Sequence, residues 1–158
     1  MKSPLIKTIS IIEIVGGIIA LLLLGINFQN FIGHEFTIGV FIYSFLLSSL
    51  SILFGILLFK NNKIGVYGSI AIQLFQIPHF ISKTILYYFG LGIFLSVGAD
   101  APIIEGSLKL TLATEIQFGA HFMVALIEDN DIPFFGINLI ALSIVLILLK
   151  KLFVKKST

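Results

Sequence analysis

A row of polar side chains runs through an apolar stretch that extends from about residue 64 to residue 86. Its members recur at spacings of four, three, three and four residues: Ser69, Gln73, Gln76, His79 and Lys83. Residues three and four apart lie on one face of an α-helix. The spacing therefore predicts a helix with one polar face, which Pro78 should kink.

Glu13 is the acidic residue that lies within an apolar stretch, residues 5–26. At about 1.5 Å per residue it would lie about 12 Å from the start of that stretch, close to the depth of Gln73 in its own helix. A carboxylate inside a membrane costs roughly 2.5–3.5 kcal/mol on insertion scales, so Glu13 should face other helices and find partners. We therefore predict an intramembrane polar network of these six residues: Glu13, Ser69, Gln73, Gln76, His79 and Lys83.

Three interpretations of this network remain open. Glu13, Gln73 and Gln76 could form a hydrogen-bond clamp that fixes the packing of the helices, because such groups contribute about 1–2 kcal/mol to helix association in model peptides. The polar row could instead be a proton pathway that continues to His79 and Lys83. It could also be an interface with another copy or another protein.

Small residues mark a second helix face, on the apolar stretch 38–59. They recur at spacings of four, three and four: Ser44, Ser48, Ser51 and Gly55. This pattern is typical of a face that packs closely against another helix. Gly16, Gly17 and Ala20, next to Glu13, would permit the same close approach. A catalytic serine here would need a base, and no histidine is expected at that depth.

The three histidines, His34, His79 and His121, are all expected toward one side of the membrane. Together with Glu35 they could bind zinc, but their spacing matches no ligand motif, and we predict neither a metal site nor a cofactor. An enzyme that acts on lipid would require His79 or His121 beside Glu35 or Glu128.

An acidic run, residues 128–131, precedes the last apolar stretch. It could bind a cation, although it lacks the twelve-residue pattern of a calcium loop. Asp131, just before Ile132 and Pro133, is typical of a helix N-cap, where acidic groups also favour the helix dipole. We therefore predict that Asp131 begins the last helix.

The composition predicts a membrane protein. Hydrophobic residues make up 58% of the 158 residues, and the mean hydropathy is +1.11, far above the value of a soluble domain. Because a membrane span needs about 20 apolar residues, we predict one domain with an all-α bundle of four transmembrane helices. Their expected ranges are about 5–26, 38–59, 64–86 and 132–152. The first is a retained helix, since it is too long for a signal peptide and no cleavage motif follows.

The charges predict the orientation. Eight of the ten lysines lie at the two termini and at residues 60–63, whereas seven of the eight acidic residues lie in the other two loops. Short lysine-rich loops stay in the cytoplasm, so both termini should be cytoplasmic in a bacterial inner (plasma) membrane. Richness in Ile, Phe, Lys and Asn without arginine favours a bacterial origin. The missing arginine argues against nucleic-acid binding, and the absence of cysteine excludes disulfides and thiolate metal sites.

Residues 90–131 should form a small extracytoplasmic β-rich cap. Residues 107–112 and 115–122 alternate between apolar and polar, which predicts two strands of a hairpin that turns near Ala113–Thr114. A third strand could come from 94–97 or 36–38, and residues 84–99 could be strand, helix extension or re-entrant. The apolar face of the hairpin could lie on the tops of the helices or in the headgroup layer, or it could form a lid over a lipid or partner site. It comprises Leu108, Leu110, Leu112, Ile116, Phe118 and Phe122.

These features predict a small integral membrane binding or accessory protein without catalysis. Its cap would meet lipid or protein, and its partners would be the bilayer, a second copy or another membrane protein. The alternative is an oligomeric channel or proton-coupled carrier lined by the polar row and Glu13. No known family motif is apparent in the chain.

Overall fold

The computed structural model describes residues 4–31, 35–100, 103–104, 107–108, 110–126 and 133–154. The helices are α1 (Pro4–Ile26), α2 (Glu35–Phe59), α3 (Lys63–Gln76) and α4 (Leu139–Val154), with a short 3-10 helix at Phe28–Phe31. The strands are β1 (Pro78–Ile81), β2 (Ile85–Asp100), β3 (Ile103–Ile104), β4 (Ser107–Leu108), β5 (Thr111–Leu126) and β6 (Phe134–Asn138).

The predicted all-α bundle of four transmembrane helices is wrong, because a four-stranded antiparallel sheet accompanies the helices. α1 and the Ile38–Phe59 part of α2 are long and apolar enough to cross a membrane, by length and composition. α3 has 14 residues and α4 has 16. At about 1.5 Å per residue they reach about 21 and 24 Å, less than the ~30 Å of a hydrocarbon core.

The predicted helix at 64–86 ends early because of Pro78. Proline lacks an N–H group and disfavours helical backbone at the residue before it. α3 accordingly ends at Gln76, and β1 begins at Pro78 itself. The expected kink is therefore a change from helix to strand.

The predicted helix at 132–152 starts late because its cap is Asn138 and not Asp131. Asn138 Oδ1 accepts the backbone N–H groups of Ile140 and Ala141 at 3.1 and 3.3 Å. Residues 134–138 before it form β6. Asp131 lies outside the described residues.

β2 reverses its direction within the sheet. Its first part pairs antiparallel with β1 at residues 86–87, and its last part pairs antiparallel with β6 at residues 96–100. Since β1 and β6 are themselves antiparallel, the two parts of β2 must run in opposite directions. Gly92 lies between them with a φ of 87°, which glycine adopts without steric cost.

β5 follows β2 along its whole length, from Ile85↔Leu126 to Asp100↔Thr111. β3 and β4 continue the same register to Ile104↔Ser107, so the chain reverses after Ile104. The predicted turn near Ala113–Thr114 is wrong, because the alternation continues through these residues within β5. Of the two candidate third strands, 94–97 lies in β2 and 36–38 lies in α2.

Among the described residues, two clusters of buried side chains hold the helices and the sheet together. One lies among the ends of α1, α2, α3 and α4 that carry lysines and contains Ile6, Ile9, Leu58, Val66, Ile144 and Leu148. The other joins α1, α2 and α3 to β2 and contains Ala20, Leu47, Ile72, Phe89 and Leu91. Lys151 Nζ donates to Asn61 Oδ1 at 2.9 Å, which fixes the end of α4 beside the α2–α3 turn.

Candidate functional site

Glu13 lies where α1, α2 and α3 meet. Its carboxylate accepts hydrogen bonds from Ser69 Oγ at 2.6 Å and from Gln73 Nε2 at 3.0 Å, both on α3. Its backbone carbonyl accepts a hydrogen bond from Ser51 Oγ of α2 at 3.1 Å. All four side chains are buried. We call Glu13, Ser51, Ser69 and Gln73 the polar clamp.

Small residues make the clamp possible by letting α1 and α2 approach closely. A Cβ atom at Gly55 would lie 3.1 Å from the carbonyl oxygen of Ser10 and 3.2 Å from Glu13 Cβ. A Cβ atom at Gly17 would lie 2.8 Å from the carbonyl oxygen of Ser48. The predicted small-residue face of α2 is therefore buried against α1, as its spacing indicated.

The rest of the polar row contacts the sheet and not Glu13. Gln76 Oε1 accepts the backbone N–H of Leu91 at 2.9 Å, and His79 Nε2 lies 2.7 Å from Ser96 Oγ. Lys83 lies after β1 and is exposed. The row is divided because α3 ends at Gln76, so helical spacing no longer places the residues that follow.

His79 is enclosed within the sheet and is 2% exposed. The rings of Tyr88, Phe94 and Phe134 lie 5.5, 5.3 and 4.9 Å from its ring, centroid to centroid. Burial lowers the pKa of His79 below its ordinary value, against a smaller opposing effect of the Glu115 carboxylate. The site therefore favours the neutral imidazole, since a charged ring would lose its hydration.

Two neighbouring tyrosines of β2 bond to other elements, Tyr87 to the helices and Tyr88 to β5. Tyr87 Oη donates to the carbonyl oxygen of Phe75 at 2.7 Å and lies 3.4 Å from Tyr43 Oη. Tyr88 Oη donates to Gln117 Oε1 at 2.9 Å. Burial raises the pKa of both Tyr87 and Tyr88, so both phenols stay protonated and can donate.

Three buried polar atoms have no hydrogen-bond partner within the described residues: Ser44 Oγ, Gln76 Nε2 and His79 Nδ1. A buried donor or acceptor without a partner costs about 1–3 kcal/mol. Two of these atoms, on Gln76 and His79, belong to the polar row and lie at the junction of α3 and β1. Ser69 and Gln73, which bond to Glu13, are not among the three.

The second predicted site is an apolar face of the sheet, which we call the outer face. Pairing places its residues in rows across the strands: Phe135–Ala99–Leu112, Leu95–Ile116 and Ile93–Phe118. Leu112, Ile116 and Phe118 are 82%, 66% and 75% exposed, and Leu110, just before β5, is 71% exposed. The predicted face thus lies on β5, although the side chains of Leu108 and Phe122 lie outside the described residues.

Within the described ranges, no group of three His, Asp or Glu residues lies close enough to hold a metal ion. His34 and Glu128 lie outside those ranges, as do the side chains of Glu35 and His121. The zinc site and the lipid enzyme that the sequence analysis considered would both need these groups.

Comparisons with protein-family models, with curated proteins and with solved structures give no match.

Proposed function

We propose that the chain is a small integral membrane binding or accessory protein without a catalytic role. α1 and α2 anchor it, and the sheet presents its outer face to a lipid or protein partner. The observation that carries this proposal is the exposure of Leu112, Ile116 and Phe118 on one face of β5. Exposed apolar patches beyond a few hundred Å² are typical of interaction surfaces.

The lysines support an orientation with both termini in the cytoplasm of a bacterial inner membrane. Lys7, Lys60, Lys63 and Lys150 lie at one end of the helices, and short lysine-rich segments stay cytoplasmic. The sheet then lies on the extracytoplasmic side. A reporter fused after Thr158 should be active only as a cytoplasmic reporter; an extracytoplasmic signal would contradict this orientation.

For the polar network, we favour a structural clamp over a proton pathway. Both carboxylate oxygens of Glu13 have partners on α3, and Ser69 and Gln73 are buried. Gln76 and His79 bond to β2 instead, so among the described residues no continuous chain of hydrogen bonds leads from Glu13 to His79. A channel or carrier would require such a chain or a water-filled path.

The binding role is tested by site-specific photo-crosslinking in native membranes. A photoreactive phenylalanine analogue replaces Phe118 on the outer face, Tyr67 on α3 or Tyr88 inside the sheet. We expect intermolecular adducts at position 118, with protein or lipid, and only intramolecular products at position 88. Tyr67 is 60% exposed, so position 67 reports the yield of lipid adducts at an exposed site outside the outer face. If position 118 gives no intermolecular adduct, the outer face has no partner and the proposal fails.

A further inference from the structure

We propose that the occupant of the outer face is lipid: the face is seated against the acyl chains of the leaflet on the sheet side of the molecule. This inference rests on the proposed anchoring of α1 and α2 in the membrane and names the partner of the outer face. Three independent features support it: the depth at which β2 meets α1, the lengths of α3 and α4, and the side chains of the face.

The bend of β2 contacts the middle of α1. A Cβ atom at Gly16 would lie 3.0 Å from the backbone nitrogen of Gly92. Gly16 lies about 18 Å along α1 from Pro4, and the whole helix measures about 34 Å. The part of β2 that follows Gly92 therefore starts near the midplane of the membrane that α1 would cross.

α3 and α4 end in the outer leaflet, about 6 and 9 Å beyond the midplane of a core of about 30 Å. Both have one end among the lysines, and they reach about 21 and 24 Å from there. A hydrocarbon core of about 30 Å therefore extends about 9 Å beyond the end of α3 and about 6 Å beyond the end of α4. β1 follows α3 after one residue, and β6 leads directly into α4, so the end of each strand that adjoins its helix lies in the outer leaflet.

The outer face has the composition of a lipid-contact surface. Three of the four rows across the strands are entirely apolar: Phe135–Ala99–Leu112, Leu95–Ile116 and Ile93–Phe118. The fourth, Ile137–Val97–Thr114, contributes one hydroxyl group to the face. The charged residues of this part of the sheet, Asp100 and Glu115, have the opposite parity along their strands, and alternate residues point to opposite faces. Acyl chains need no hydrogen bonds or charges from a partner, whereas a standard protein interface carries about ten hydrogen bonds.

The absence of tryptophan from the chain permits a direct test with single-tryptophan variants in phosphatidylcholine vesicles. Ile116→Trp and Phe118→Trp place the reporter on the outer face, and Thr111→Trp places it on the opposite face of the same strand. Leu22→Trp, on the exposed side of α1, reports membrane anchoring. Bromine atoms at defined acyl carbons quench tryptophan in lipid, and aqueous iodide quenches tryptophan in water.

We expect brominated lipid to quench the variants at Ile116 and Phe118 several-fold more than the variant at Thr111, and iodide to show the reverse order. Quenching of Ile116→Trp and Phe118→Trp by iodide alone would overturn the inference. So would protection from both quenchers, since that result indicates a protein cover such as a second copy. If Leu22→Trp is quenched by lipid in either case, the membrane anchor stands; if it is not, the anchoring proposal itself fails.

Discussion

Ser69 Oγ on α3 donates a 2.6 Å hydrogen bond to Glu13 Oε2 on α1, across 56 positions of the chain. Both groups are buried, Ser69 completely and Glu13 to 2% exposure. A short hydrogen bond to a carboxyl oxygen is among the strong ones. This contact therefore ties a short helix to a helix that is long enough to cross a membrane.

Replacing Glu13 with alanine should destabilise the protein, because Ser69 Oγ and Gln73 Nε2 would then be buried without their acceptor. A loss of about 2–6 kcal/mol is expected, at about 1–3 kcal/mol for each of the two groups left without a partner. Glu13→Gln retains an acceptor oxygen and should cost less. Thermal unfolding in mild detergent, followed by circular dichroism, measures the difference.

Val15→Ala is the matched control for that experiment, since Val15 is on the same helix and 46% exposed. It should leave the unfolding temperature nearly unchanged. Equal melting temperatures for Glu13→Ala and Val15→Ala would contradict the clamp.

A side chain at Gly92 should strain the backbone. Its φ of 87° is in a region that costs other residues about 1–3 kcal/mol. Gly92→Ala should therefore lower stability and loosen the contact of β2 with Gly16. Gly25→Ala is the control, because a Cβ atom there meets nothing within 4 Å. Limited proteolysis should cleave the Gly92→Ala variant within β2 while sparing the Gly25→Ala variant.

Acid should weaken the sheet through His79. Its pKa is lowered in the folded state and returns to about 6.5 on unfolding. The unfolded chain then binds more protons below about pH 6.5, so stability is full above that pH and falls as the pH drops. The groups that face the ring, Tyr88 and Glu115, do not remove this effect, since the net shift is downward.

His79→Gln should flatten this pH dependence, because glutamine can bond to Ser96 but does not titrate. The test compares the unfolding temperatures of the two proteins between pH 8 and pH 5. Parallel curves for the parent and His79→Gln would show that other groups cause the acid sensitivity.

Asn138→Ala should destabilise α4 by about 1 kcal/mol, the usual cost of a lost N-cap. Asn62 caps α3 in the same way, with its side chain accepting the N–H of Ile64 at 2.9 Å, but it is exposed. When the cap side chain is removed, water can bond to the freed N–H group at the exposed Asn62 position more easily than at the buried Asn138 position. Urea unfolding in detergent should therefore show a smaller loss for Asn62→Ala than for Asn138→Ala, and the reverse order would contradict the role of burial.

The first two helices and the apolar alternation of β5 could be predicted from the sequence because each has a clear period or a long uniform run. The contacts of Glu13 with Ser69 and Gln73 follow from similar reasoning, since helical spacing and depth place them together. These predictions depended only on the local pattern of residue types and on the rise per residue of a helix, neither of which changes with tertiary structure.

The sheet could not be predicted in the same way. Residues 77–81 and 134–138 are short apolar runs, which hydropathy alone cannot distinguish from the end of a membrane helix. Pro78 was the available signal, because the residue before a proline disfavours helix. The pairing of β1 with β6 depends on residues far apart in the chain, and no local pattern in either segment indicates the other.

That pairing has a consequence for how the protein is made. β1 is synthesised long before β6, its neighbour in the sheet, and α3 is too short to cross a bilayer without the sheet residues that follow it. In the proposed membrane arrangement, α3 would complete its packing only when the C-terminal segment arrives, so the two short helices would reach their final positions in one late step.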